Sequence, residues 1–241
     1  MLIKTRGIVF RSIKYGETSL IVDIFTEERG LRSYLISGVR SKRGKVRASL
    51  LQVMSLVDMV AYDKHERGLN RVKEIRPAEV YRSLPFDVRK SAVGLFMVEM
   101  ARKSIREPEH NPRLFEFLYR SFHFLDDTTG PIGNLHLHFL LELSFHLGFV
   151  PNGHWATDTP FFDLQEGIFV AEAPAHGYHV GSEESRMVDR LLNSTYANCS
   201  QVEMTSAQRR LLLRKLIDFF RFHVENLSEI HAHEVLQEVL E

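Results

Sequence analysis

Only one cysteine, Cys199, and one tryptophan, Trp155, occur in 241 residues. A lone thiol forms no disulfide within its own chain and cannot supply a zinc site built from several thiolates. Long apolar runs are missing as well. Crossing a bilayer takes ~18–20 such residues, and the longest stretches here, around 135–147 and 211–222, are interrupted by His, Glu, Arg, Lys or Asp. The start, Met1-Leu2-Ile3-Lys4-Thr5-Arg6-Gly7, has no signal-peptide apolar core. There is no Walker loop, no G-x-G-x-x-G fingerprint, no G-x-S-x-G elbow and no His-Glu-x-x-His motif. These absences predict an intracellular, cytoplasmic protein with no membrane segment; they do not exclude an enzyme, but they leave no catalytic or cofactor-binding residue to name.

Net charge is also lacking: 31 Lys plus Arg face 31 Asp plus Glu. Taken whole, that balance argues against nucleic acid, whose binding proteins usually carry a basic surplus. Taken along the chain, it does not. Residues 1–82 hold 17 cationic and 9 acidic side chains, a net of +8, whereas residues 83–241 hold 14 and 22, a net of −8. Such asymmetry points to one nucleic-acid-facing region and one region with another task. With 44% hydrophobic residues, the chain can still bury an ordinary core.

The charge boundary coincides with a change of hydrophobic period. Up to residue 80 the pattern predicts about five strands: 3–13, 19–26, 31–36, 55–62 and 69–75, with Glu27-Glu28-Arg29-Gly30 as a turn. A closed barrel is the economical arrangement, because closure removes exposed edges. Beyond Pro77 the period becomes helical. Ser83-Leu84-Pro85 offers a cap before a helix over 87–106 with apolar residues nearly all round it, and Asn111-Pro112 opens a second over 113–125. A third, over 135–147, stops at Gly148 and Pro151. Thr205-Ser206-Ala207-Gln208 matches a capping box for a long helix to about Asn226, and a short helix over 231–240 follows. Between them, residues 151–181 read as an insertion with a small hairpin, Phe161–Leu164 against Gly167–Val170. The expected fold class is therefore α+β: a five-stranded barrel domain over 1–80, then a helical domain over 81–241.

The sharpest local signal is Arg40-Ser41-Lys42-Arg43-Gly44-Lys45-Val46-Arg47, with five cations in eight residues and no acid. Loop cations follow phosphates without fixing sequence. If all five touched a single strand, the log–log salt slope would be roughly −3.5. Arg6, Arg11, Lys14, Arg32 and Lys73 extend the expected basic face, and Tyr15, Phe25, Tyr34 and Tyr62 are available for base stacking. A His-based metal site is a weaker alternative, with His176 and His179 at ligand spacing and His154 and Cys199 in the same region. An RNA-binding regulator on the same barrel is the other.

Several segments, taken in order, resemble the RecO family of bacterial recombination mediators. They are Lys4-Thr5-Arg6-Gly7-Ile8-Val9, Tyr15-Gly16-Glu17-Thr18-Ser19-Leu20, Thr26-Glu27-Glu28-Arg29-Gly30-Leu31, Gly38-Val39-Arg40-Ser41-Lys42, Leu69-Asn70-Arg71-Val72-Lys73-Glu74 and Leu147-Gly148-Phe149-Val150-Pro151. Phe162-Asp163-Leu164-Gln165-Glu166-Gly167 and Ser206-Ala207-Gln208-Arg209-Arg210-Leu211-Leu212 continue the likeness. The resemblance implies an OB-fold barrel followed by a helical domain. It implies binding of single- and double-stranded DNA, annealing of complementary strands, and help in loading RecA. It also implies RecR and the acidic tail of single-stranded-DNA-binding protein as partners. By position, Arg40–Arg47 would belong to the DNA surface, with Arg6, Arg11, Arg32 and Lys73. For the tail, Phe96, Met100, Arg102, Lys103 and Arg106 are candidates on the helical domain. Many family members carry a four-cysteine zinc module where residues 151–181 lie. No cysteine stands there in this sequence, so the hairpin is expected to be a metal-free counterpart held by Trp155, Phe161, Phe162 and Phe169.

Overall fold

The computed structural model describes residues 1–39, 48–62, 68–105 and 110–240. Two units emerge. One combines residues 1–86 with 105–127, and the other combines 87–104 with 128–241.

The first unit contains five strands: β1 (Leu2–Tyr15), β2 (Ser19–Thr26), β3 (Gly30–Ile36), β4 (Leu56–Tyr62) and β5 (Asn70–Pro77). They close into a barrel in the order β1-β2-β3-β5-β4. Every pairing is antiparallel except the β3–β5 seam, which is parallel. This is the OB-fold barrel that the alternating pattern and the resemblance predicted. Val22, Ile24, Tyr34, Ile36, Val57, Met59 and Ala61 fill the interior. Gly7 is required where β1 passes between β2 and β4, because a Cβ there would lie 2.5 Å from Ile24 Cγ2. Gly30, at φ 61°, closes the β2–β3 turn in a region that L side chains rarely adopt.

Helix α2 (Pro112–Asp127) belongs to this unit and is capped by Asn111 Oδ1, which accepts from Leu114 N at 3.0 Å. A stack of rings ties it to the outside of the barrel. Phe10 lies 5.5 Å from Phe25, and Phe25 lies 6.1 Å from Phe115. At the far end of α2, Asp126 places a carboxylate where the helix dipole disfavours one. It is stabilised instead by accepting backbone N–H bonds from Arg82, Ser83 and Leu84 at 2.9, 2.8 and 2.7 Å.

The second unit is helical: α1 (Val88–Ser104), α3 (Leu135–Leu147), α4 (Ser182–Leu192), α5 (Ser206–His223) and α6 (Ala232–Val239). Helix α1 is buried around most of its circumference, with Val88 and Leu95 exposed. Its cap is Asp87, whose Oδ1 accepts from Arg89 N at 2.8 Å, and not Ser83 as the sequence suggested. Ser83 sits in a preceding turn and donates its hydroxyl to Asp126 O. Gly148 ends α3 at φ 89°, and the Thr205–Gln208 capping box opens α5 as expected. The inserted hairpin, β6 (Phe161–Asp163) and β7 (Ile168–Val170), gains a third strand, β8 (His179–Val180), that the sequence pattern did not reveal. Two residues are too few to carry a readable alternation. Phe162 on β6 and Phe169 on β7 pack with tilted rings, their centroids 5.1 Å apart.

Candidate nucleic-acid interface

The strand register determines which exterior side chains become neighbours. Leu2 pairs with Tyr62, Tyr62 with Arg71, Arg71 with Leu35, Leu35 with Ile21, and Ile21 with Ile13. Cross-strand partners share a face. Their strand neighbours Ala61, Tyr34, Ile36 and Val22 point inward, so these six form one outer row across the parallel seam. Tyr15 continues the β1 side of that row at the β1–β2 turn. Tyr15 and Tyr62 are 53% and 46% exposed, whereas Phe25 and Tyr34 are 1% and 2% exposed. Of the four aromatics considered from sequence, two present faces on which bases can stack and two are enclosed by packing. Arg71, exposed, is the cation within this row, whereas Lys14, paired with interior Leu20, alternates to the other face of β1.

The other barrel cations are in different situations. Arg6 is held firmly. Its Nε and Nη2 donate to Glu27 at 2.9 and 2.8 Å, Nη2 reaches Glu116 at 3.2 Å, and its guanidinium lies over the Phe115 and Tyr119 rings. The hydrogen bonds to Glu27 raise its pKa further and lower that of Glu27. Arg6 therefore fastens β1 to α2 through its Nε and Nη2. Arg11 lies 4.0 Å from Asp23, and Arg32, half-buried, donates to Leu31 O at 3.3 Å. Lys73 sits in a bulge between the Ala61–Val72 and Val60–Glu74 pairs. That bulge interrupts the period of two, turning Val72 and Ile75 toward the interior while Arg71 and Glu74 face out. Simple alternation groups Arg71 with Lys73 and Ile75, and so hides Arg71 as the cation of the tyrosine row. The run Arg40–Arg47 lies outside the described residues. Its described flank, Ile36, ends β3 beside Leu20 at the start of β2.

On the helical unit, three of the residues considered for an acidic tail, Phe96, Met100 and Lys103, are enclosed or occupied. Phe96 and Met100 have no exposed surface. Lys103 pairs with Glu99 at 2.6 Å and donates to Glu229 O. Arg102 is half-buried, and Arg106 lies outside the described residues. The histidines weighed for metal are dispersed in role. His176 Nε2 lies 3.2 Å from Asp163 Oδ2, and its Nδ1 accepts from Tyr178 N. Cys199 is buried, which pushes its thiol up to about 11. No cluster of three or more His, Cys, Asp or Glu among the described residues is arranged to hold a metal ion. No helix among them is long and apolar enough to cross a membrane.

A barrel with a basic sequence, an exposed tyrosine row and a following helical unit can be compared with known proteins. Residues 1–81 match the profile of the recombination protein O N-terminal domain, and residues 85–229 match that of its C-terminal domain. The chain belongs to the RecO family. Its relatives named DNA repair protein RecO include one from Phocaeicola vulgatus, 33% identical with 99% of each chain covered. Another, from Flavobacterium psychrophilum, is 35% identical over 99% of each chain. A third, from Bacteroides fragilis, is 31% identical over the whole of both chains. The RecO family thus places this chain among DNA repair proteins.

Proposed function

We propose that this protein is a recombination mediator. Its barrel binds single- and double-stranded DNA, brings complementary strands together, and helps load recombinase onto DNA covered by single-stranded-DNA-binding protein. The observation that carries the reading is the outer row Leu2–Tyr62–Arg71–Leu35–Ile21–Ile13, with Tyr15 at its end. Aromatic faces beside cations suit unstacked bases and their phosphates together, and such contacts tolerate any sequence. The five cations of residues 40–47 would add phosphate contacts, neutralising two backbones so that strands can approach. The protein acts on this reading by binding and not by catalysis. The helical unit, which carries most of the acidic surplus, would receive protein partners: RecR, and the tail of single-stranded-DNA-binding protein. No residue is assigned to the tail.

The test is strand annealing with charge reversal at Arg40, Lys42, Arg43, Lys45 and Arg47, run beside Tyr15→Ala and Tyr62→Ala. Loss of annealing and a shallower salt slope in the first, with weaker single-strand affinity in the second, are the expected results. Undiminished binding and annealing in both sets would overturn the assignment. Measuring single-stranded RNA in parallel separates a DNA mediator from an RNA-binding regulator, since equal or tighter RNA binding would favour the regulator.

A further inference from the structure

Helix α6 is held to the helical unit by very little apolar surface. Leu236 is the one fully buried residue of its eight, and Val235 is 52% exposed. Ile230, just before the helix, adds a second buried anchor. Eight residues are too few to stay helical without tertiary support, and one leucine over two turns supplies only a small part of that support. Polar contacts from Glu99 on α1 supply more. Its Oε2 accepts from His231 N at 3.0 Å and from Ala232 N at 2.6 Å, at the end of α6 where the helix potential favours a negative charge. Its Oε1 pairs with Lys103 at 2.6 Å, and Lys103 also donates to Glu229 O. Because Glu99 and Lys103 both lie on α1, their pair can persist when α6 moves away.

The opposite side of α6 is poorly matched. There Leu236, Gln237 and Leu240 face His136 on α3 and Arg209 and Leu213 on α5 across a cavity of ≈ 20 Å³. Buried polar atoms are left over at this contact. His136 Nδ1, Gln237 Nε2 and, on the same short helix, His233 Nδ1 have no hydrogen-bond partner. A polar group withdrawn from water without a partner destabilises the closed arrangement and regains its hydration when the contact opens. One edge of α6 is thus latched by charge-assisted bonds, and the other favours separation.

We propose that α6 is a releasable strap. Glu99 latches its first turn to α1, and residues 230–240 lift from α3 and α5 as one segment while the longer helices stay folded. Opening hydrates the three orphaned atoms and uncovers Leu213.

The experiment is native-state hydrogen exchange of the full chain, read amide by amide by NMR in a series of low urea concentrations. The amides of 235–240 should exchange through an opening with a much smaller urea dependence than the buried amides of α3 and α5, because little surface is exposed when α6 lifts. Glu99→Gln should speed their exchange about tenfold by weakening the latch. Gln237→Leu should slow it severalfold, since it removes a donor that the closed state leaves unpaired. Thr205→Ala separates local from global opening. The α5 cap is present whether the strap is open or closed, so this variant should speed exchange in the middle of α5 about fivefold and leave 235–240 unchanged. Amides of 235–240 that share the urea dependence of α3 and α5, or that quicken with them in Thr205→Ala, would overturn the proposal. So would faster exchange of α6 in Gln237→Leu, or unchanged exchange in Glu99→Gln.

Discussion

Replacing Arg6 by Met separates a fastening role from a DNA-contact role. The guanidinium makes a two-pronged ion pair with Glu27, a further contact with Glu116 and a stack on two rings. The side chains are about one-third exposed, at 35% for Arg6 and 31% for Glu27, so solvent screening limits the pair to about 1 kcal/mol. The ring contacts add about 0.5–1 kcal/mol. Met retains part of the packing, so a net loss of about 1–1.5 kcal/mol follows, which shifts the melting midpoint of a chain this size by about 2–6 °C. The loss should depend on pH in a definite sense. The hydrogen bonds from Arg6 depress the Glu27 pKa. The pair therefore stabilises above the ordinary glutamate range and fades as pH falls through the lowered folded value. The parent should lose part of its advantage over the variant in acid. In a salt titration of single-stranded DNA binding, a phosphate contact is worth a slope of about 0.7. Because Arg6 Nε and Nη2 are engaged by Glu27 and Glu116, the variant's slope should match the parent's. A slope reduced by that amount, with an unchanged melting midpoint, would refute the fastening assignment.

Other consequences can be checked with single variants. Tyr62→Ala and Tyr15→Ala should each weaken single-stranded DNA binding by about 1–3 kcal/mol in fluorescence titrations, whereas Tyr34→Ala should lower stability first, because Tyr34 is interior. Asp126→Asn, which keeps the shape but removes the charge received by three backbone N–H groups, should cost about 2 kcal/mol in urea unfolding. Thr205→Ala should cost about 1 kcal/mol by breaking the α5 capping box. Burial pushes Glu99 up, but Lys103 and the backbone N–H groups of Ala232 and His231 outweigh it and leave the carboxyl below its usual range. Stability supplied by Glu99 is therefore present above the ordinary glutamate pKa and lost as pH falls through its folded value, a loss that Glu99→Gln should abolish in acid melts.

Much of the fold was legible because local chemistry forces it. Alternation in β4 put Val57, Met59 and Ala61 on one face, and all three are interior. Gly148 and the Thr205–Gln208 box marked helix ends through backbone geometry that few residues satisfy. The cap of α1 was misassigned because Ser83 and Asp87 both suit one, and only the packing of α2, through Asp126, draws Ser83 away. The tail candidates Phe96 and Met100 failed for a similar reason. An apolar residue beside cations looks the same in sequence whether it faces a partner or a core.

By itself, the sequence determined the division into a basic strand-rich half and an acidic helical half, since net charge and hydrophobic period are sums over local residues. It determined the five barrel strands, the end of α3, the start of α5 and the family likeness, but neither β8 nor α4. Tertiary structure alone decided which side chains meet. Bulges in β1 and β5 shift the period of two, so that Arg71 joins Tyr62 on the outside and Lys73 falls between pairs. Closure of β3 on β5 assembles the tyrosine row from all five strands. Packing commits Arg6 to Glu27 but leaves Arg209 facing only neutral oxygens. Each outcome depends on contacts between residues far apart in the chain, and no local window of sequence contains them.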